Sequence, residues 1–271
     1  MIKRPHFFKF RTLALIILMI VALPLISGCQ EKKKAVDPTA GRPVMRILFV
    51  GNDFTFMNNM YYMVQAFADS DPNAHFKIEV GLHAMQDASL SQIWNNPATK
   101  DVLVSKKWDY VIVQPHYMWA SSDGSVYLTR KALSVWTSQI TAIGAQPVLF
   151  MTWPMEASHS AYSDPKYTNL KNYKNTHRLI RGYSKALADK YGMLLVPIGD
   201  YWMYAINEEP GINLYNPDRV TPTLDASYLT ALVIYKQLVD NTLDDIGYIP
   251  EGMTPETKAT LISIASKKIQ N

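Results

Sequence analysis

From Met45 onward the chain alternates short apolar runs with longer amphipathic ones. Five runs read as strands: 46–50, 76–80, 110–114, 147–151 and 194–197. Between them apolar positions recur at helical spacing over 58–68, 89–106 (with a break near Pro97), 129–143 and 170–191. Two more helical stretches follow, at 225–243 and 255–268. Strands that are apolar almost throughout belong to parallel sheets covered on both faces. Right-handed crossovers then leave few topologies. The expected architecture is α/β, a three-layer α/β/α sandwich on a flavodoxin-like parallel five-stranded sheet. In such folds ligands sit outside the carboxyl ends of the strands. The expected rim is therefore 51–55, 114–119, 152–156 and 198–202, with 216–223 reaching it.

The start of the chain follows a different pattern. Lys3, Arg4, Lys9 and Arg11 precede an apolar run from Leu13 to Ile26, which ends Ser27-Gly28-Cys29. A basic start, a short apolar run and small residues before the cut describe a secretory signal over 1–28. The run is too short to read as a membrane-spanning helix. The small-small-Cys ending resembles a bacterial lipobox, which implies a diacylated Cys29 as the first mature residue. Two acyl chains give lasting anchorage to a lipid bilayer. Gln30, in place of Asp, is compatible with sorting to the outer membrane of the cell envelope. Cys29 is the only cysteine, so no disulfide forms within the chain. Residues 29–44, polar with Pro38 and Pro43, read as a lipidated tether. Residues 45–271 are expected to form one domain.

The leader also changes the charge argument. The whole chain carries +4, and the leader holds four of its 27 basic residues. That leaves 23 against 23 acidic ones, a neutral mature chain with no electrostatic case for nucleic acid. No glycine-rich phosphate loop and no metal-ligand spacing are present, so no cofactor is expected.

Candidate chemistry starts at the first strand end, Gly51-Asn52-Asp53-Phe54-Thr55 with Asn58-Asn59. This block resembles the first block of SGNH hydrolases (GDSL-type esterases), in the branch reading Gly-Asn-Ser-Phe-Thr. Further segments resemble that branch in order: Ser89-Leu90-Ser91-Gln92-Ile93-Trp94, Trp108-Asp109-Tyr110-Val111-Ile112-Val113-Gln114, Phe150-Met151-Thr152-Trp153, and Asn216-Pro217-Asp218-Arg219-Val220-Thr221. The resemblance implies an ester-hydrolysing serine, a histidine three residues after an aspartate, and an oxyanion hole.

The chain departs from that pattern at each point. Asp53 stands at the serine position, Thr221 at the histidine position and Ala88 at a glycine position, while Asp218 remains. A threonine hydroxyl is no general base near neutral pH. Asp53 is open to three readings: a cap on the following helix, a ligand contact, or a partner of His116 in activating water. An aspartyl-phosphate enzyme would need a second acid where Thr55 stands.

Tyr117, Trp119, Trp153, Tyr201 and Trp202 suggest an aromatic rim suited to sugars. The expected ligand-binding residues are Asn52, Asp53, Gln114, His116, Trp153 and Asp218. The tyrosine-rich stretch 157–175 reads as a lid, a binding edge or a passive loop. The expected function is a lipid-anchored binding protein on a retired hydrolase scaffold. Its partner would be an envelope or extracellular polysaccharide, or a protein of the export machinery. The alternative is an esterase or deacetylase of acylated glycans centred on Asp53.

Overall fold

A computed structural model describes residues 39–239 and 242–269. The leader, Cys29 and most of the tether lie outside the described residues. The sheet holds β1 (Val44–Gly51), β2 (Lys77–Ala84), β3 (Tyr110–Val113), β4 (Gln146–Phe150) and β5 (Leu194–Val196), in the order β2-β1-β3-β4-β5. Every pairing is parallel. This is the flavodoxin-like order, so the expected architecture is the one observed.

Alternation along each strand builds the layers, because successive side chains point to opposite faces. From β1, Ile47 and Phe49 enter one apolar cluster while Leu48 and Val50 enter the other. Ile112 against Val111 and Val113, and Phe150 against Leu149, repeat the split. The first face is covered by α2 (Met60–Ser70), α7 (Ile198–Glu208), α8 (Leu224–Val239) and α9 (Pro255–Ser266). The second is covered by α3 (Leu90–Trp94), α5 (Asp123–Ala142) and α6 (Tyr173–Tyr191). The remaining helices are α1 (Asp53–Phe56) and α4 (Thr99–Val104).

Several boundaries differ from the apolar pattern, each for a local reason. The helical stretch over 89–106 is two helices, α3 and α4, parted at Asn95–Ala98 around Pro97. A capping box joins Ser89 and Gln92 at the start of α3. Helix α5 begins at Asp123, not 129, because Ser122 caps it by accepting from the Ser125 amide. Helix α2 starts two residues late, since Asn58 and Asn59 both adopt left-handed backbone (φ 54° and 55°).

Besides the single-turn α1, helix α7 is the element the pattern missed. Its first residues, 198–202, were expected as open rim, yet Ile198, Gly199, Asp200, Tyr201 and Trp202 are all buried. Only Pro197 separates it from β5, and no side chain caps its start, so the sequence carries no signal for a helix boundary there. The helix packs so tightly on the end of β4 that a Cβ on Gly199 would strike the Thr152 carbonyl.

Candidate functional site

The turn after β1 is held from below. Thr55 and the Gln114 side chain press on Gly51 and leave no room for a Cβ there. Gln114 Oε1 accepts from the Asn52 amide (2.8 Å) and from Thr55 Oγ1 (3.0 Å). Asn52 Oδ1 accepts from the Phe54 amide, and its Nδ2 donates to the Ala88 carbonyl (3.1 Å). Asn52, not Asp53, therefore caps α1. Gln114 is fully buried, with its side-chain oxygen spent on Asn52 and Thr55, so it supports the turn from beneath the cleft. Asn52 lines the cleft above but is nearly buried, with its side chain spent on Phe54 and Ala88.

Asp53 Oδ2 accepts from the backbone amide of Asp87 at 2.7 Å. Asp87 sits in the left-handed region (φ 50°), a conformation Asp tolerates better than most residues. Its Oδ1 lies 2.8 Å from His116 Nε2. The Asp53–His116 pair, one of the three readings open for Asp53, does not form; Asp87 stands between them. The next amide along, that of Ala88, donates to Met85 O. Both second-block amides are thus taken, one of them by the carboxylate that replaces the serine.

The last loop supplies the third acid. Asn216 accepts from the Arg219 amide, and the Asn216 amide donates to Thr221 O, closing a tight turn with Arg219 at φ 65°. Asp218 accepts from the amides of Val220 and Thr221 (2.9 Å each) and from Thr221 Oγ1 (2.6 Å). Desolvation pushes the Asp218 carboxyl up, but the Thr221 hydroxyl and the two amides outweigh it and hold the group below its ordinary value. A carboxyl lowered by folding adds stability above its unfolded pKa, and that stability is lost as pH falls through the folded value. Thr221→Val removes one donor. The Asp218 carboxyl is then expected to titrate at higher pH by NMR, and this share of stability to be lost earlier on acidification.

Asn52, Asp53, Phe54, Asp87, Tyr117, His159, Asp218, Val220 and Thr221 enclose a cleft of about 340 Å³. The 157–175 stretch contributes His159 to its wall, just before a short 3₁₀ turn at Ser160–Ser163. Burial, and then the charge of Arg219, lower the His159 pKa against the opposing pull of Asp218 and Glu156. Burial, then the charges of Asp87, Tyr167, Asp218 and Asp53, raise that of Tyr117.

The tautomers follow from the hydrogen-bond network. His116 Nδ1 accepts from the Met118 amide, and His159 Nδ1 accepts from the Ala161 amide (3.1 Å each). Each neutral ring therefore carries its proton on Nε2. A triad base needs the reverse, with Nδ1–H on a carboxylate and Nε2 free to accept. Neither imidazole is set up as a base.

The aromatic rim is overturned. Trp119, Trp153 and Trp202 are buried, and Tyr201 nearly so. Trp153 is stacked between Phe54 (4.2 Å) and Trp202 (3.8 Å), with no face left for a ligand. Of the rim aromatics, Tyr117 alone lines the cleft. Asp87 and His159 are the site residues that sequence reasoning missed. Asp87 precedes the Ala88 already singled out in the second block; no motif pointed to His159. Among the described residues no group of three or more His, Cys, Asp or Glu is arranged to hold a metal ion.

No protein-family model and no curated protein matches the sequence. Solved structures do. A proposed SGNH hydrolase from Slackia heliotrinireducens superposes with a TM-score of 0.61 at 24% identity, over 72% of this chain and 99% of that one. A DUF4886 family protein from Bacteroides uniformis gives 0.66 at 20% identity, over 82% and 93%. An acetyl xylan esterase gives 0.53 at 12% identity, over 72% and 100%. Sheet order, strand-end turn and these superpositions agree: the chain has the SGNH-hydrolase fold.

Proposed function

We propose that this chain is a lipid-anchored protein of the bacterial envelope whose SGNH-fold domain binds a polysaccharide without hydrolysing it. One observation carries the reading: Asp53, where a nucleophile would stand, binds the Asp87 amide instead, and neither His116 nor His159 offers it a basic nitrogen. Asp53 also opposes the family chemistry electrostatically. A like charge about 4 Å from a developing oxyanion costs on the order of 4 kcal/mol at an effective dielectric of about 20. Cys29 after Ser27-Gly28 supports the anchor. Support for a glycan comes from the open cleft lined with hydrogen-bonding groups, and from a structural neighbour named for acetyl xylan.

The test is hydrolysis of small acetyl esters and acetylated glycans by the purified protein. The expected result is turnover no greater than in Asp53→Ala. Turnover well above background that disappears in Asp53→Ala would instead establish an esterase centred on that residue. Metabolic labelling with a fatty-acid probe, lost in Cys29→Ala, checks the anchor.

A further inference from the structure

Asp87 lines two hollows at once. On one side is the acidic cleft. On the other, between α3 and α5, lies a groove of about 430 Å³ that the hydrolase reading leaves without a role. Leu90, Trp119 and Ala132 form its buried floor, and Ser91, Leu128 and Thr129 stand along its more exposed walls. We propose that cleft and groove form one site for a linear oligosaccharide carrying an unacylated amino sugar, its ammonium among Asp53, Asp87 and Asp218 and the adjoining sugar in the groove. This deepens the binding role proposed for the cleft and rests on it.

Charge selects the amine. Three carboxylates line the cleft, and no Lys or Arg is among its lining residues. Arg219, next to Asp218 in sequence, is not among the lining residues and is committed elsewhere, its Nη1 donating to Ser158 O and its Nε 3.8 Å from Glu156, although its charge is felt at His159 on the wall. The fields of all three acids reach the Tyr117 phenol on the cleft wall. A carboxylate only accepts, whereas an ammonium offers three donors and sugar hydroxyls offer more.

Shape selects a sugar chain over a basic peptide. One common way for an extended peptide to dock is by adding to a free strand edge. At this cleft β1 is paired on both sides, by β2 and β3, and offers none. An apolar floor between hydroxyl-bearing walls suits a pyranose, whose ring faces are apolar and whose edge is polar.

Titration calorimetry on the full chain in detergent micelles tests this. The probes are a short glucosamine oligomer, its N-acetylated counterpart, the glucosamine monosaccharide and oligolysine. The free-amine oligomer is expected to bind about fivefold more tightly than the acetylated one, the scale of one modest charge contact. Asp53→Asn with Asp218→Asn should erase that preference. Ser91→Tyr and Leu128→Gln, which leave the charge unchanged, should weaken the oligomer and spare the monosaccharide. Equal affinity for free and acetylated oligomers would overturn the proposal. So would oligolysine outbinding the sugars, or groove variants that bind as the parent does. Ester turnover by the parent protein would remove the non-hydrolytic reading and this proposal with it. With turnover absent, failed amine selectivity removes the ligand class alone.

Discussion

Trp153→Ala is expected to lower the free energy of unfolding by about 3–5 kcal/mol, the range for deleting a large core aromatic. Trp153 is sandwiched nearly parallel between Phe54 and Trp202 (14° and 6°), and Trp202 meets Tyr215 edge-on. Both indoles are anchored: Trp153 Nε1 donates to Val220 O (3.1 Å) and Trp202 Nε1 to Thr230 Oγ1 (3.2 Å). Truncation opens a cavity, leaves the Val220 carbonyl short of a donor, and removes ring pairs that add about 0.5–1.5 kcal/mol each beyond buried area. Against a typical total of about 5–15 kcal/mol, the variant is left marginal. Urea denaturation followed by far-UV circular dichroism measures this, and Trp202→Ala should behave alike. A loss below about 1.5 kcal/mol would mean that the Trp153 face is open, and would return it to the ligand-binding surface.

That column also marks where sequence reasoning stopped. The sheet was readable because Ile47–Val50, Val111–Val113 and Val148–Phe150 are apolar on both faces, a property of each strand by itself. The first-strand turn was readable because Gly51 and Asn52 must meet Gln114 and Ala88, contacts that demand particular residues. Whether a tryptophan near a strand end faces water or a neighbouring ring depends on helix α7, whose start one residue after β5, without a capping side chain, hid it. His159 and Asp87 were missed for a related reason. Each enters the cleft from a segment with no strand or helix period, and its position is set by one or two long-range bonds, such as Asp53 to the Asp87 amide. Such pairings leave no trace in local spacing.

Reconstruction of the triad has the largest expected effect. Asp53→Ser alone and Thr221→His alone should both stay at background on small acetyl esters, because nucleophile and base act as a unit. Together they are expected to raise kcat/KM by about 10³-fold over the parent protein, a fraction of the roughly 10⁶-fold that dismantling a working triad costs. Two features favour it. The Thr221 side chain already meets Asp218 Oδ2 at 2.6 Å, and the amides of residues 220 and 221 fix that carboxylate, so an imidazole at 221 starts beside its orienting acid. Serine at 53 also removes a carboxylate and releases the Asp87 amide it now binds, returning a donor to the cleft where an oxyanion would form. A 10³-fold gain is about 4 kcal/mol of barrier, the same size as the like-charge penalty that Asp53 imposes. A double variant that folds with unchanged stability and stays at background would locate the defect elsewhere, with the Ala88 amide, held in its turn by Met85 O, as the next group to release.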